Sequence, residues 1–218
     1  NTAIGYASGG GFANGTNSTF IGYNADASMA GYSNSSCLGY DSRVTASNQV
    51  RLGNSSVGSI GGVQDWSNVS DARIKRNIKE NVKGLDFIMK LRPVTYNLDI
   101  NAMDEMLKPP GSIMRDKDGK IVEGREESPE MMEAKRESSK MIHSGFIAQE
   151  VETAAKESNF DFSGVDLPKN DQDLYGLRYG QFVVPIVKAI QEQQELINSQ
   201  QKTIDTLLKR IEQLENKK

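Results

Sequence analysis

Ser70 and Lys75 are the residues of this chain whose types and spacing point most directly to covalent chemistry. A serine hydroxyl is a weak nucleophile until a base takes its proton, and an uncharged lysine amine is one such base. Asp71, Arg73 and Arg76 stand beside them, in the stretch Ser70-Asp71-Ala72-Arg73-Ile74-Lys75-Arg76-Asn77-Ile78. Ser-Asp is also an ordinary helix start, and Arg-Ile-Lys-Arg-Asn an ordinary solvated helix face. Spacing alone leaves both readings open.

The elements that must position this pair change character at the stretch itself. Before it Gly, Ser, Asn and Thr dominate; after it come charged residues and helical apolar spacing. In the first segment Ala3-Ile4-Gly5-Tyr6, Phe20-Ile21-Gly22-Tyr23, Cys37-Leu38-Gly39-Tyr40 and Arg51-Leu52-Gly53-Asn54 recur, with glycine spacings of 17, 17 and 14. Each unit holds a short apolar strand and a polar stretch able to turn, with too little apolar surface to fold alone. Stacked units, or the same unit from several chains, would bury that surface. Tyr6, Tyr23 and Tyr40 are expected to pack structurally, a sugar-stacking ladder being the alternative.

Past the stretch, the spacing predicts a helix over Val82 to Lys90, closed by Pro93, and a short strand over Val94 to Leu98. Residues 101–141 read as a charged, solvated insertion, with an Asp-Gly hairpin signal between Arg115 and Val122 and no calcium-loop pattern. Gly145-Phe146-Ile147 leads into a helix from Ala148 to Lys156. From Val183 a heptad places Val183, Ile190, Ile197, Ile204 and Ile211 at a, and Ile186, Gln193, Gln200, Leu207 and Leu214 at d. That is a coiled-coil pattern, with the glutamines as polar layers that help set register and strand number. The heptads alone leave dimer and trimer open.

Composition removes several classes of function. A net charge of −3 gives no basic footprint for nucleic acid. Cys37 is the single cysteine and His143 the single histidine; they build neither an intrachain disulfide nor a zinc site, and both are expected to be structural. No metal or other cofactor is expected. No apolar run approaches the ~20 residues of a membrane helix, and the chain opens inside a repeat, as a piece of a longer protein would.

Three blocks carry a family resemblance: Ser-Asp-x-Arg-x-Lys-x-Asn-Ile from Ser70, Leu85 to Leu91 with Arg92-Pro93-Val94-Thr95-Tyr96, and Gly145-Phe146-Ile147-Ala148-Gln149-Glu150-Val151. In this order they resemble the C-terminal intramolecular chaperone domain of phage tailspikes and tail fibres, of the endosialidase type, over residues 66 to 218. The repeats resemble the head repeats of trimeric autotransporter adhesins, a β-roll in which three chains share a core. The resemblance implies a mixed fold: trimeric β-roll repeats over residues 1–62, an α+β chaperone domain over 63–181 and a coiled coil over 182–218. It implies a homotrimer whose chaperone part folds the upstream fibre shaft and then releases itself. Ser70 matches the catalytic serine, Lys75 the general base and Ser70-Asp71 the bond that breaks. Lys75 must be uncharged to act, which burial or the like charges of Arg73 and Arg76 would favour. The oligomerisation surface falls on Ile190, Gln193, Ile197, Gln200, Ile204, Leu207, Ile211 and Leu214. The implied setting is the virion tail, with a host-surface receptor reached through a missing upstream part and neither nucleic acid nor membrane as partner.

The attacking atom stays open. Closing Ser70 Oγ onto its own carbonyl needs a badly strained ring, whereas attack on the Val69 carbonyl is easier. The serine of a neighbouring chain, or a water activated by Lys75, avoids the strain. A trimeric bacterial adhesin stalk with a non-proteolytic clamp is the alternative. A membrane-tethered transcription factor of the myelin regulatory factor type shares the serine-lysine block, but would need a basic DNA-binding domain and a membrane span.

Overall fold

The computed structural model describes residues 1–11, 14–107, 114–115, 121–122 and 128–216. In chain order the first elements are β1 (Thr2–Ile4), β2 (Thr19–Ile21), β3 (Asp26–Ala27), β4 (Ser36–Leu38), β5 (Arg43–Val44) and β6 (Val50–Leu52). There follow α1 (Leu85–Ile88), β7 (Val94–Tyr96), α2 (Ile100–Leu107), β8 (Met114–Arg115), β9 (Ile121–Val122), α3 (Pro129–Lys140) and β10 (His143–Gly145). The last are α4 (Ala148–Glu157), β11 (Val165–Asp166), β12 (Gly176–Leu177) and α5 (Val183–Glu215). The chain is thus mixed α/β with a long C-terminal helix.

The sequence repeat becomes a parallel ladder within one chain. β1, β2, β4 and β6 pair in that order, with Ile4 opposite Ile21, Ile21 opposite Leu38 and Leu38 opposite Leu52. β3 and β5 form a second parallel pair. Because strand side chains alternate, Phe20 and Cys37 point to one side and are buried with Ala25, Ala27 and Val44. Ile4, Ile21, Leu38 and Leu52 point to the other side and stay exposed. Cys37 is structural, its thiol pushed up by burial and donating to the Asp26 carbonyl at 3.3 Å.

The glycines of the first three repeats are set by stacking on the next one, most tightly Gly5 and Gly22. Gly22 has φ +134°, and a Cβ there would lie 2.4 Å from the Gly39 carbonyl oxygen. Two further corners take left-handed backbone in register: Ala7, Asn24 and Asp41 at one, Asn17, Asn34 and Asn48 at the other. Asn and Asp tolerate that region better than most residues, which explains the polar composition of the linking stretches.

Contacts gather the chain into two compact units, neither continuous in sequence. This grouping differs from a sequential division at residues 62 and 181. The first unit holds residues 1–66, 95–145 and 167–174. Residues 101–141, read from sequence as a charged, solvated insertion with a hairpin, also contribute α3 and all but the first residue of α2. α2 places Ile100, Met103 and Leu107 at helical spacing with Ile100 buried; α3 lacks such a period, yet Ser128 caps it through the Met131 N–H, Pro129 occupies its first turn, and Lys135 pairs with Asp104 at 2.6 Å. The expected hairpin appears as β8 paired antiparallel with β9; its Asp-Gly turn lies outside the described residues. His143 lies within β10 and stacks on Tyr96.

The second unit holds residues 67–94, 146–166 and 175–218. Its core joins Phe87, Val151, Ala154, Ala155 and Phe182, ringed by Phe146, Phe160 and Phe162. The helix expected over Val82 to Lys90 is only α1, because Gly84 meets α5 closely: a Cβ on it would lie 2.8 Å from the Ala189 nitrogen. Glu192 of α5 accepts from the Leu85 N–H at 2.8 Å and so caps the short helix. No helix among the described residues is long and apolar enough to cross a membrane.

Candidate functional site

Ser70 and Lys75 lie in an irregular stretch of the second unit, residues 67–84, that packs little of itself away. A turn brings them together. The Ile74 N–H donates to the Asp71 carbonyl and the Lys75 N–H to that of Ala72. Lys75 Nζ then lies 2.9 Å from Ser70 Oγ.

The Asp71 side chain organises the turn. Its Oδ1 accepts from the Arg73 backbone N–H at 2.8 Å, an Asx-type closure. The same carboxylate takes a forked bond from the guanidinium, 3.0 Å from Nε to Oδ1 and 2.6 Å from Nη2 to Oδ2. The guanidinium and then the backbone N–H hold the Asp71 carboxyl below the usual carboxylate range, and the Arg73 guanidinium is pushed up in return. Arg73 was a candidate to raise the local positive field at Lys75, but its charge is matched by Asp71. Arg76 spends Nη1 on the carbonyls of Arg73 and Lys75 at 2.7 and 2.9 Å, fastening the far end of the turn.

Ser70 and Lys75 are exposed in the single chain. An ammonium at this distance donates to the serine oxygen; a neutral amine at the same place can take its proton. The geometry supplies reach. Exclusion of water would have to come from a covering surface.

Residues 70–113 match the family model for the chaperone of endosialidase, peptidase family S74. The match starts at the serine that Lys75 reaches, and it supports a chaperone role for this part of the chain and a likeness to a peptidase family. No curated protein and no solved structure matches the chain.

Most of the other two resemblance blocks, residues 85–94 and 146–151, falls in the same second unit. Arg92 forks onto Glu150, Nη2 to Oε1 at 2.5 Å and Nε to Oε2 at 3.0 Å, so the Arg-Pro-Val block and the Ala-Gln-Glu-Val block are joined by a bidentate ion pair. Gln149 stays exposed. Trp66, at the change of architecture, stands 87% exposed. Ile190, Gln193, Ile197, Gln200, Ile204, Leu207, Ile211 and Leu214 lie along α5, all exposed to solvent. Tyr6, Tyr23 and Tyr40 stack at 5.4 and 5.5 Å between ring centroids, so the faces a sugar would use are largely occupied by each other. Sequence reasoning missed Asp71 as organiser of the turn, although Asp-x-Arg at a chain reversal is a signal for it.

Proposed function

We propose that this chain is the C-terminal part of a phage tail fibre or tailspike, in which a chaperone domain drives homotrimerisation and folding of the shaft and then cuts itself away after Ser70. One observation carries the reading: the family match begins at Ser70, and Lys75 Nζ is 2.9 Å from its Oγ. Support for assembly comes from α5, whose a and d residues Ile190, Ile197, Ile204, Leu207, Ile211 and Leu214 remain 49–60% exposed in one chain. The outward column Ile4, Ile21, Leu38 and Leu52 gives the repeat segment a second uncovered apolar face. Three copies offer both segments the cover they lack.

In this mechanism neutral Lys75 accepts a proton from the attacking oxygen, either a neighbouring chain's serine or a water. That oxygen adds to the Ser70 carbonyl carbon, the bond to the Asp71 nitrogen breaks, and Lys75 returns the proton to the leaving amine. If serine attacks, water then hydrolyses the ester. Assembly supplies the cover that excludes water from the pair and fixes the geometry, so cutting waits for the trimer. Loss of the clamp removes the shaft's route back through its slow, high-contact-order folding, and its durability becomes kinetic.

The test is intact mass under denaturing conditions for the parent, Ser70→Ala and Lys75→Ala. The expected outcome is a parent split into residues 1–70 and 71–218, with both variants whole. A parent that stays one chain after prolonged incubation as assembled trimers would leave a trimerisation clamp without proteolysis.

A further inference from the structure

Breaking the bond after Ser70 makes two chains, yet the first compact unit draws on both sides of it: residues 1–66 from upstream, 95–145 and 167–174 from downstream. A polar link between the two sides, among the described residues, is the loop 167–174 on the last coil of the repeats. Asp173 is buried there at 9% exposure. Its Oδ1 accepts from Thr45 Oγ1 at 2.6 Å, and both carboxylate oxygens lie 3.3 Å from Gln49 Nε2. Its Oδ2 also accepts from the Lys169 N–H at 3.1 Å, which folds the loop around the carboxylate. Arg51 Nη2 stands 3.7 Å away.

A second residue repeats the arrangement. Asn170 Nδ2 donates to the Thr45 carbonyl at 2.7 Å and reaches Tyr32 Oη at 3.3 Å. The coil is ready for the contact: Gln49 Oε1 accepts from the backbone N–H groups of Thr45 and Ala46 at 2.8 and 3.1 Å, leaving its amide nitrogen to donate outward. Pulling the loop away would leave the Gln49 amide nitrogen without its Asp173 acceptor, turn the Thr45 hydroxyl back to its longer bond to Gln49 Oε1 at 3.1 Å, and return a buried carboxylate to water, so the contact has a defined cost of opening.

From this we propose that loop 167–174 is a clasp for the last coil of the repeats, which keeps the downstream part bound after the Ser70–Asp71 bond is broken. Cleavage and departure are then separate steps, and Asp173 with Asn170 sets the rate of the second. The clasp rests on the cleavage reading for its role, but its existence is testable without it.

The experiment uses the full chain with Ser70→Ala, carrying a specific protease sequence in place of residues 60–66, in the exposed segment. The protease makes the cut, and the pieces are followed by gel filtration at neutral pH. Pieces of the parent clasp are expected to travel together. With Asp173→Ala they should separate on the order of 100-fold faster, the loss typical of truncating one partner of a buried charged hydrogen bond. Thr45→Val, which removes one donor and keeps the shape, should fall between, and guards against an Asp173→Ala chain that fails to fold. Parent pieces that part at once, or Asp173→Ala and Thr45→Val pieces that stay together as long as the parent's, overturn the clasp. Whether the Ser70 chain cuts itself is read separately by denaturing mass, so failure of the cleavage reading is distinguished from failure of the clasp.

Discussion

At the scale of single residues, Lys75 finds Ser70 because Asp71 folds the turn between them. Replacing Asp71 by Ala removes both the Asx closure and the forked bond to Arg73. A displacement of about 1 Å at reacting groups can cost ~100-fold in rate, so Asp71→Ala should slow self-cleavage by roughly that factor in a time course of denaturing mass. Asp71→Asn keeps an acceptor for the Arg73 N–H and should recover part of the rate. Because Asp71 is held below the usual carboxylate range, its contribution is complete above that range and is lost only as pH falls through the lowered value. Neutral pH should show no step from it. An Asp71→Ala chain that cuts at the parental rate would mean that the turn does not position Lys75. The serine-lysine pair was legible only through the family resemblance, since spacing alone left an ordinary solvated helix face open; the structure adds that Lys75 Nζ reaches Ser70 Oγ at 2.9 Å. Asp71 was not legible, because its role comes from side-chain bonds to a neighbour read as a free positive charge.

Among elements, the repeat stack tests the account of why glycine recurs. Gly22→Ala adds a Cβ that would lie 2.4 Å from the Gly39 carbonyl oxygen and places alanine at φ +134°. Backbone strain and overpacking together should cost about 2–5 kcal/mol. Gly31 has φ +88° with open space around it, so Gly31→Ala carries the strain alone, about 1–2 kcal/mol. Thermal melting of the two variants on the uncut Ser70→Ala background should separate the contributions, and equal melting temperatures would remove the close approach as the reason. The clasp element has its own signature. Burial pushes the Asp173 carboxyl up, but bonds from Thr45, the Lys169 N–H, Gln49 and the Leu174 N–H outweigh it and leave the group below its ordinary range. Its stabilisation is therefore full above the unfolded value, about pH 3.9, and lost as pH falls through the lowered one. Retention of the cut pieces should be flat from pH 8 to about 5 and collapse only in stronger acid; Asp173→Asn should lose that acid step. The glycine ladder could be read from spacing because stacking repeats one constraint at each coil. α3 escaped, since a helix held by a cap and ion pairs leaves little apolar period, whereas α2 carries Ile100, Met103 and Leu107 at helical spacing, a signal masked by the charged residues around it.

For the whole molecule, the deciding question is what covers the apolar surface that one chain leaves in water. Along α5 the a and d residues are joined by exposed Leu196 and Leu208, which widen the stripe beyond a two-stranded seam. Ile at a with Leu at d favours two strands, and the heptads alone leave the number open; the proposed trimer draws on the uncovered apolar column of the repeats as well. Burying the remaining surface of one half-exposed Ile or Leu is worth ~1 kcal/mol, so the stripe supplies several kcal/mol per chain when covered. Ile197→Asp with Ile204→Asp places charge in two a layers and should convert the assembly to monomers. Sedimentation equilibrium of the uncut Ser70→Ala chain should then give one chain mass of 24.0 kDa for this variant and three times that mass for its parent. On the Ser70 background, the same two substitutions should abolish cutting, although they lie in α5, away from the turn that joins Ser70 to Lys75. A variant that is monomeric and still cuts at the parental rate would show that one chain completes the site by itself. A parent with twice the chain mass would replace the trimer by a dimer, and with it the reading of the repeats as one third of a shared core.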